Sequence, residues 1–256
     1  MSSAFLDEAR NVQVWLPPGY GADPHRRYPV IYMPDGENLF DPRIASWGVD
    51  WGIDEAIAKG SAAGRIDPAI VVSAWSTSRR GDEYSPWADA PRYARFLIEE
   101  LMPRIDAEFR TLTGPANTFA MGSSAGGLLS YYLVKEHGGV FGACGCLSTH
   151  FPLSAAMLAG WKGEDPAVAD ETPFILGDIR GGATVPRNSR FFFDYGTGGP
   201  DASYGPTHLA VREWLVDQGR VEGKDFIVRE YPGADHNESA WRARVGDQLE
   251  WLLRSE

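Results

Sequence analysis

Basic residues are scarce in this chain. There are 24 Lys and Arg against 35 Asp and Glu, a formal net charge of −11 over 256 residues. A surface so acidic repels phosphate backbones and anionic lipid heads, so neither nucleic acid nor a membrane surface is expected as a partner. Long apolar runs are missing as well. No eighteen consecutive apolar residues occur, and no segment is expected to cross a bilayer. Residues Met1 to Glu8 offer neither a basic nor an apolar stretch, so no secretory leader is read there and the cytoplasm is the expected location. Cysteine is limited to Cys144 and Cys146. Their segment reads as a strand, where i and i+2 share a face. A bridge between them would close a tiny strained loop, so both are read as reduced. With no second Cys/His pair nearby, a zinc site is not expected. Repeats, low-complexity tracts and like-charge blocks are absent too.

What remains is an ordinary globular composition, 43% hydrophobic and 23% charged. The length suits a single α/β domain over 1–256. Strand patterns at 11–16, 28–33, 69–75, 117–121, 143–147, 190–195 and 226–231 alternate with helical ones, which predicts a mostly parallel sheet covered on both faces. The helical patterns are at 50–59 (ended by Gly60), from Pro91 to about 108 (capped by Asp89, bent at Pro103), 128–136 and 207–218. Trp241, Val245, Leu249 and Leu252 form one stripe of a C-terminal helix. Residues 151–187 are poorly periodic and rich in Pro and Gly, and read either as a lid or substrate loop or as an irregular connection.

Gly122-Ser123-Ser124-Ala125-Gly126 fits G-x-S-x-G between an apolar strand and a helix. A serine on so sharp a turn needs small neighbours if its Oγ is to stand clear. The helix that follows aims its N-terminus at the same spot, which favours negative charge there. A phosphate loop is the rival, but the lysine of G-x-x-x-x-G-K is missing. Ser124 is therefore the candidate nucleophile.

Of the five histidines, His236 lies in the loop after the last strand, where such a sheet builds its site. His25 precedes the serine. His137 and His208 fall on predicted helices and read as solvated. His150, after a strand beyond the nucleophile, is the competitor and reads as a pocket wall. His236 is thus the candidate base. The acid should follow the strand 190–195; Asp201, in the glycine-rich loop after it, is favoured, with Asp194 inside the strand as the alternative. Asp235 reads as a turn residue. The oxyanion donors expected are the N–H groups of Ala125 and Glu37, the latter in Pro34-Asp35-Gly36-Glu37-Asn38.

These stretches, with Tyr28 to Phe40, Arg80 with Glu83-Tyr84-Ser85-Pro86, Met121 to Gly127, Asp194-Tyr195-Gly196-Thr197 and Asp235-His236-Asn237-Glu238 with Trp241, resemble the Putative esterase family of the α/β-hydrolases. That branch holds S-formylglutathione hydrolase (esterase D), feruloyl and acetyl-xylan esterases, enterochelin-type siderophore esterases and mycolyltransferases. The resemblance spans nearly the whole chain in the right order. It implies an α/β-hydrolase fold and an acid a few residues beyond the Gly-Thr pair, which supports Asp201. Gly198-Gly199-Pro200 departs from the family, where an acidic residue often follows Gly-Thr directly.

The chemistry expected is ester hydrolysis through a Ser-His-Asp triad and an acyl-enzyme, on a small or aromatic acyl ester, with no metal or organic cofactor. The cluster Asp35, Glu37 and Asp41 reads as solvated or hydrogen-bonded surface. Trp47, Trp51, Trp75, Tyr84 and Trp87 crowd into one stretch and read either as pocket walls or as core. Arg80 reads as meeting a substrate carboxylate or pairing with Glu83. Trp47, Trp75, Arg80, Tyr84 and His150 are the candidate substrate-side residues. An acyltransferase, or a non-catalytic ligand-binding protein on the same fold, stays open as the alternative, and a homo-oligomer is compatible with the sequence.

Overall fold

The computed structural model describes residues 1–254. Seven strands form one sheet: β1 (Val12–Trp15), β2 (Val30–Met33), β3 (Ile70–Ala74), β4 (Thr118–Ser123), β5 (Ala143–Leu147), β6 (Arg190–Gly196) and β7 (Phe226–Tyr231). Their order is β1-β3-β2-β4-β5-β6-β7, with β1 antiparallel to β3 and all other neighbours parallel. The order reverses beside β2 and β4, and the loops leaving their carboxyl ends part there to open a crevice.

The helices are α1 (Ile53–Ala62), α2 (Arg80–Glu83), α3 (Ala90–Arg95), α4 (Met102–Glu108), α5 (Ala125–Glu136), α6 (Ala155–Trp161), α7 (Phe174–Arg180), α8 (Gly205–Asp217) and α9 (Glu238–Leu253). α1 and α9 cover one face. There Ile53 and Ile57 pack with Val245, Leu249 and Leu252 beneath Trp51 and Trp241. The other face carries α3, α4, α5, α7 and α8 over the larger apolar cluster. The predicted stripe of α9 is buried throughout, each such side chain contributing roughly 1.5–3 kcal/mol. The same helix presses so close to β5 that a Cβ on Gly145 would meet Gln248 Oε1 at 2.8 Å. Among the described residues no helix is long and apolar enough to cross a membrane.

Three local expectations change. Gly60, where the sequence predicts the end of α1, lies inside it. A Cβ there would meet Ile66 at 2.8 Å, so the glycine answers a packing need. Between α3 and α4 the chain widens into a π-helical stretch, Phe96–Leu101. Pro103 offers no N–H and would clash with the carbonyl four residues back, and the wider turn accommodates both. Asp89 does not cap α3; its carboxylate accepts from Arg79 instead.

Candidate active site

Ser124 stands between β4 and α5 at φ 55°, ψ −124°, a strained conformation for a non-glycine residue. Its neighbours two positions away must be small. A Cβ on Gly122 would lie 2.6 Å from the Gly126 carbonyl oxygen, and one on Gly126 would lie 3.2 Å from Pro34 and from Asp35. The Ser124 N–H donates to Leu147 O at 2.9 Å, which ties the turn to β5. Ala125 opens the twelve-residue α5 and Glu37 sits in the short 3₁₀ turn Gly36–Asn38. Amides in a first helical turn have no acceptor within the helix, so both can face a ligand.

His236 Nε2 lies 3.0 Å from Ser124 Oγ, and its Nδ1 lies 2.6 Å from Asp201 Oδ1. A carboxylate only accepts, so Nδ1 carries the proton and Nε2 is left as an acceptor facing the serine. Asp201 is fully buried and follows β6, while His236 follows β7. Their loops dock backbone to backbone: Gly198 N–H donates to Ala234 O at 2.9 Å. A Cβ on Gly196 would sit 2.1 Å from that same oxygen, and one on Gly199 would sit 1.9 Å from Asp235 Oδ1. The run of glycines is therefore what lets the acid loop close on the histidine loop. Asp235 accepts from the His236 N–H at 2.7 Å, consistent with a turn role.

Strand alternation sends Asp194 the other way. It shares a face with Phe192, toward α9, and accepts from Arg244 Nε at 3.2 Å, Gln248 Nε2 at 2.7 Å and the Ser148 N–H at 2.8 Å. It does not touch His236. Ser148, just past β5 at φ 41°, joins the two carboxylates. Its Oγ donates to Asp201 Oδ2 at 2.6 Å and accepts from Trp241 Nε1 at 2.8 Å and Arg244 Nη2 at 2.6 Å. Asp201 also accepts from the Gly196 N–H at 2.7 Å. Burial works against the Asp201 charge, but the bonds from His236, Ser148 and Gly196 outweigh it and hold its pKa below the ordinary carboxylate value. Ser148, Arg244 and Gln248 have no signature in the sequence; a serine ending a strand and two polar residues on an apolar helix face are their only trace.

A cavity of about 660 Å³ opens over Ser124 and His236, a size that suits small ligands. Trp47, Trp51, Arg80, Glu37, Glu238 and Trp241 line it. Asp35 is buried, not solvated, and grips Arg80 with two bonds of 2.7 and 2.8 Å. Burial opposes the Arg80 charge, but Asp35 outweighs it and holds the guanidinium pKa above its usual value. Arg80 thus pairs with Asp35; Glu83 pairs with Arg10. The Glu37 carboxylate accepts the N–H and the hydroxyl of Ser76.

Three of the expected substrate-side residues lie outside the cavity lining. Tyr84 is fully buried, its hydroxyl 3.2 Å from the Asp35 N–H, where it supports the turn. Trp75 donates to Gln13 and packs where a Cβ on Gly36 would be. His150 sits behind His236, ring centroids 6.3 Å apart, against Tyr204 and Trp161. No residue of 151–187 lines the cavity either. That segment folds into α6 and α7, and its Phe151, Leu153 and Ile175 anchor it to the core.

His208 is buried, not solvated, with Nδ1 3.0 Å from Tyr204 O. Burial pushes its pKa down to about 4 and that of His150 down to about 3, the latter helped by His236. Both folded-state values lie below the ordinary histidine value of 6.5. As pH falls from about 6.5 toward 4, the unfolded chain gains protons the folded chain cannot take, and stability drops by roughly 1.4 kcal/mol per pH unit for each histidine. Urea midpoints measured from pH 7 to 5 should fall steeply in the wild type and less steeply in His208→Asn. Equal slopes would show that His208 is not held neutral by the fold.

The family model described as Putative esterase matches residues 3–252. Among curated proteins, an uncharacterized protein, YbbA, of Bacillus subtilis (strain 168) is 26% identical over 152 residues, covering 54% of this chain and 56% of that protein. An endo-1,4-beta-xylanase/feruloyl esterase of Xylanibacter ruminicola is 31% identical over 149 residues, covering 56% of this chain. The aligned part is only 20% of that longer protein. Among solved structures, a ferulic acid esterase superposes with TM-score 0.70 at 18% identity, over 98% of this chain and 95% of its own. The enterobactin esterase FES from Shigella flexneri gives TM-score 0.76 at 17% identity, over 98% of this chain and 56% of its own. At such identities the two superpositions establish the α/β-hydrolase fold.

Proposed function

The chain belongs to the Putative esterase family; from that premise we propose that it is a carboxylic ester hydrolase working by acyl transfer through Ser124. An unbroken line of contacts supports this: Ser124 Oγ to His236 Nε2 at 3.0 Å, then His236 Nδ1 to Asp201 at 2.6 Å. His236 takes the serine proton as Oγ attacks the ester carbonyl. The N–H groups of Ala125 and Glu37 receive the oxyanion, aided by the N-terminus of α5. His236 then passes the proton to the leaving alcohol. Water attacks the acyl-enzyme by the reverse of the same steps, regenerating Ser124 and releasing the acid. Asp201 keeps the imidazole in the required tautomer.

The substrate is a small or aromatic acyl ester. The size of the cavity and the indoles of Trp47, Trp51 and Trp241 support this, as do the feruloyl and ferulic acid esterases among the relatives. A p-nitrophenyl alkylphosphonate tests the nucleophile directly. One phosphonyl mass should appear on the proteolytic peptide that carries Ser124, with matching loss of esterase activity. Modification of any other serine, with activity lost in step, would overturn the assignment.

A further inference from the structure

We propose that the cavity selects esters whose alcohol part carries a positive charge, held between the Glu238 carboxylate and the indole of Trp47. This rests on the reading of Ser124 and His236 given above. Three carboxylates and one guanidinium line the cavity: Asp35, Glu37, Glu238 and Arg80. Asp35 and Arg80 neutralise each other through their paired bonds. Glu37 is bonded to the neutral Ser76 and, among the described residues, forms no ion pair, though Arg80 acts on it through space. Glu238 is only 9% exposed and, among the described residues, forms no ion pair; its carboxylate takes a bond from its own backbone N–H, and Arg80 and His236 act on it through space. Two negative charges therefore face a half-enclosed space, where low-dielectric walls strengthen their attraction for a cation and their repulsion of an anion. Arg80 gives its Nε and Nη2 to Asp35 and offsets the remaining charge only through space, so three carboxylates still face one guanidinium.

The position of Glu238 places that charge on the leaving-group side. It is the second residue after His236 and the first of α9, and Asn237 fixes that helix start by accepting from the Ala240 N–H at 3.0 Å. His236 Nε2 delivers the proton to the leaving oxygen, so the alcohol departs past His236, toward Glu238. Trp47, 77% exposed at the cavity rim, offers an indole with no partner among the ring contacts of the described residues. An aromatic face beside carboxylates is the arrangement that binds ammonium groups. Burial raises the Glu238 pKa above the ordinary value, and a bound cation would draw it back down.

Choline and 3,3-dimethylbutyl esters of one acid test this, since they share a shape and differ by the charge. At low salt kcat/KM should favour the choline ester by about tenfold or more. The ratio should shrink at about 0.5 M salt, in Glu238→Gln and in Trp47→Ala. A ratio near one, or a ratio that Glu238→Gln leaves unchanged, overturns the cation site while leaving the esterase reading intact. Titrating Ser124→Ala with choline and with 3,3-dimethylbutanol, followed by NMR, reads the site without turnover. Preference for choline that is lost on adding Glu238→Gln supports the site even if no ester is hydrolysed, a result that would count against Ser124 and His236 alone. No preference for choline rejects it whatever the turnover.

Discussion

Replacing Ser124 with alanine should lower kcat for a p-nitrophenyl ester by roughly 10⁶-fold with an unchanged melting curve. The two halves of this expectation have separate causes. Alanine keeps the Cβ, so the strain of the turn at φ 55° is the same in both proteins. The small neighbours Gly122 and Gly126 still fit. The only bond lost is that between Oγ and His236 Nε2, at 3.0 Å, and it faces an open cavity where water can replace it. Without Oγ no acyl-enzyme forms. Activity left over should be the slow attack of water on an ester held by the oxyanion amides, and it should show no burst. Full activity in Ser124→Ala would remove the serine from the chemistry altogether.

How much of this was readable beforehand depends on how local each constraint is. The turn at Ser124 is local: the glycines that permit it are two residues away, and the strand and helix that frame it carry their own periodicity. The stripe of Trp241, Val245, Leu249 and Leu252 is readable for the same reason. The choice between Asp201 and Asp194 was half readable, because strand alternation aims Asp194 with Phe192 toward α9 but says nothing of where the following loop goes. Gly198-Gly199-Pro200 looked like a departure from the family and is instead what brings the acid loop against Ala234 and Asp235. Ser148 follows β5, whereas Trp241 and Arg244 sit together on α9, and no spacing connects the two segments. The aromatic stretch was equally opaque. Tyr84 and Trp51 are both buried, yet only Trp51 reaches the cavity, a distinction set by packing between elements and not by either residue's neighbours in sequence. Short α6 and α7, with little room for periodicity to show, read as loop.

The two buried aspartates should separate cleanly when each is changed to asparagine. Asp201→Asn is expected to lower kcat about 10⁴-fold and to leave KM little changed. Its amide has to choose an orientation. Ser148 Oγ and the Gly196 N–H both donate to the Oδ2 position, at 2.6 and 2.7 Å, so the amide oxygen belongs there. The NH₂ group then faces His236. A donor opposite Nδ1 forces the imidazole into the other tautomer, with the proton on Nε2, where it can no longer accept from Ser124. Asp194→Asn should do the reverse, sparing most of kcat while lowering stability by about 3–5 kcal/mol. Every group around Asp194 is a donor: Arg244, Gln248 and the Ser148 N–H. An amide NH₂ there either meets the Arg244 and Ser148 donors or turns to Gln248, whose own amide must flip to accept it, and buried Arg244 is left with Asp201 at 3.7 Å as its nearest remaining carboxylate. Kinetics at one ester concentration series and a urea titration on the same two proteins read both effects. If Asp194→Asn were instead the variant that loses kcat at full stability, Asp201 would not be the acid, and the 2.6 Å contact with His236 would have to serve only the packing of two loops.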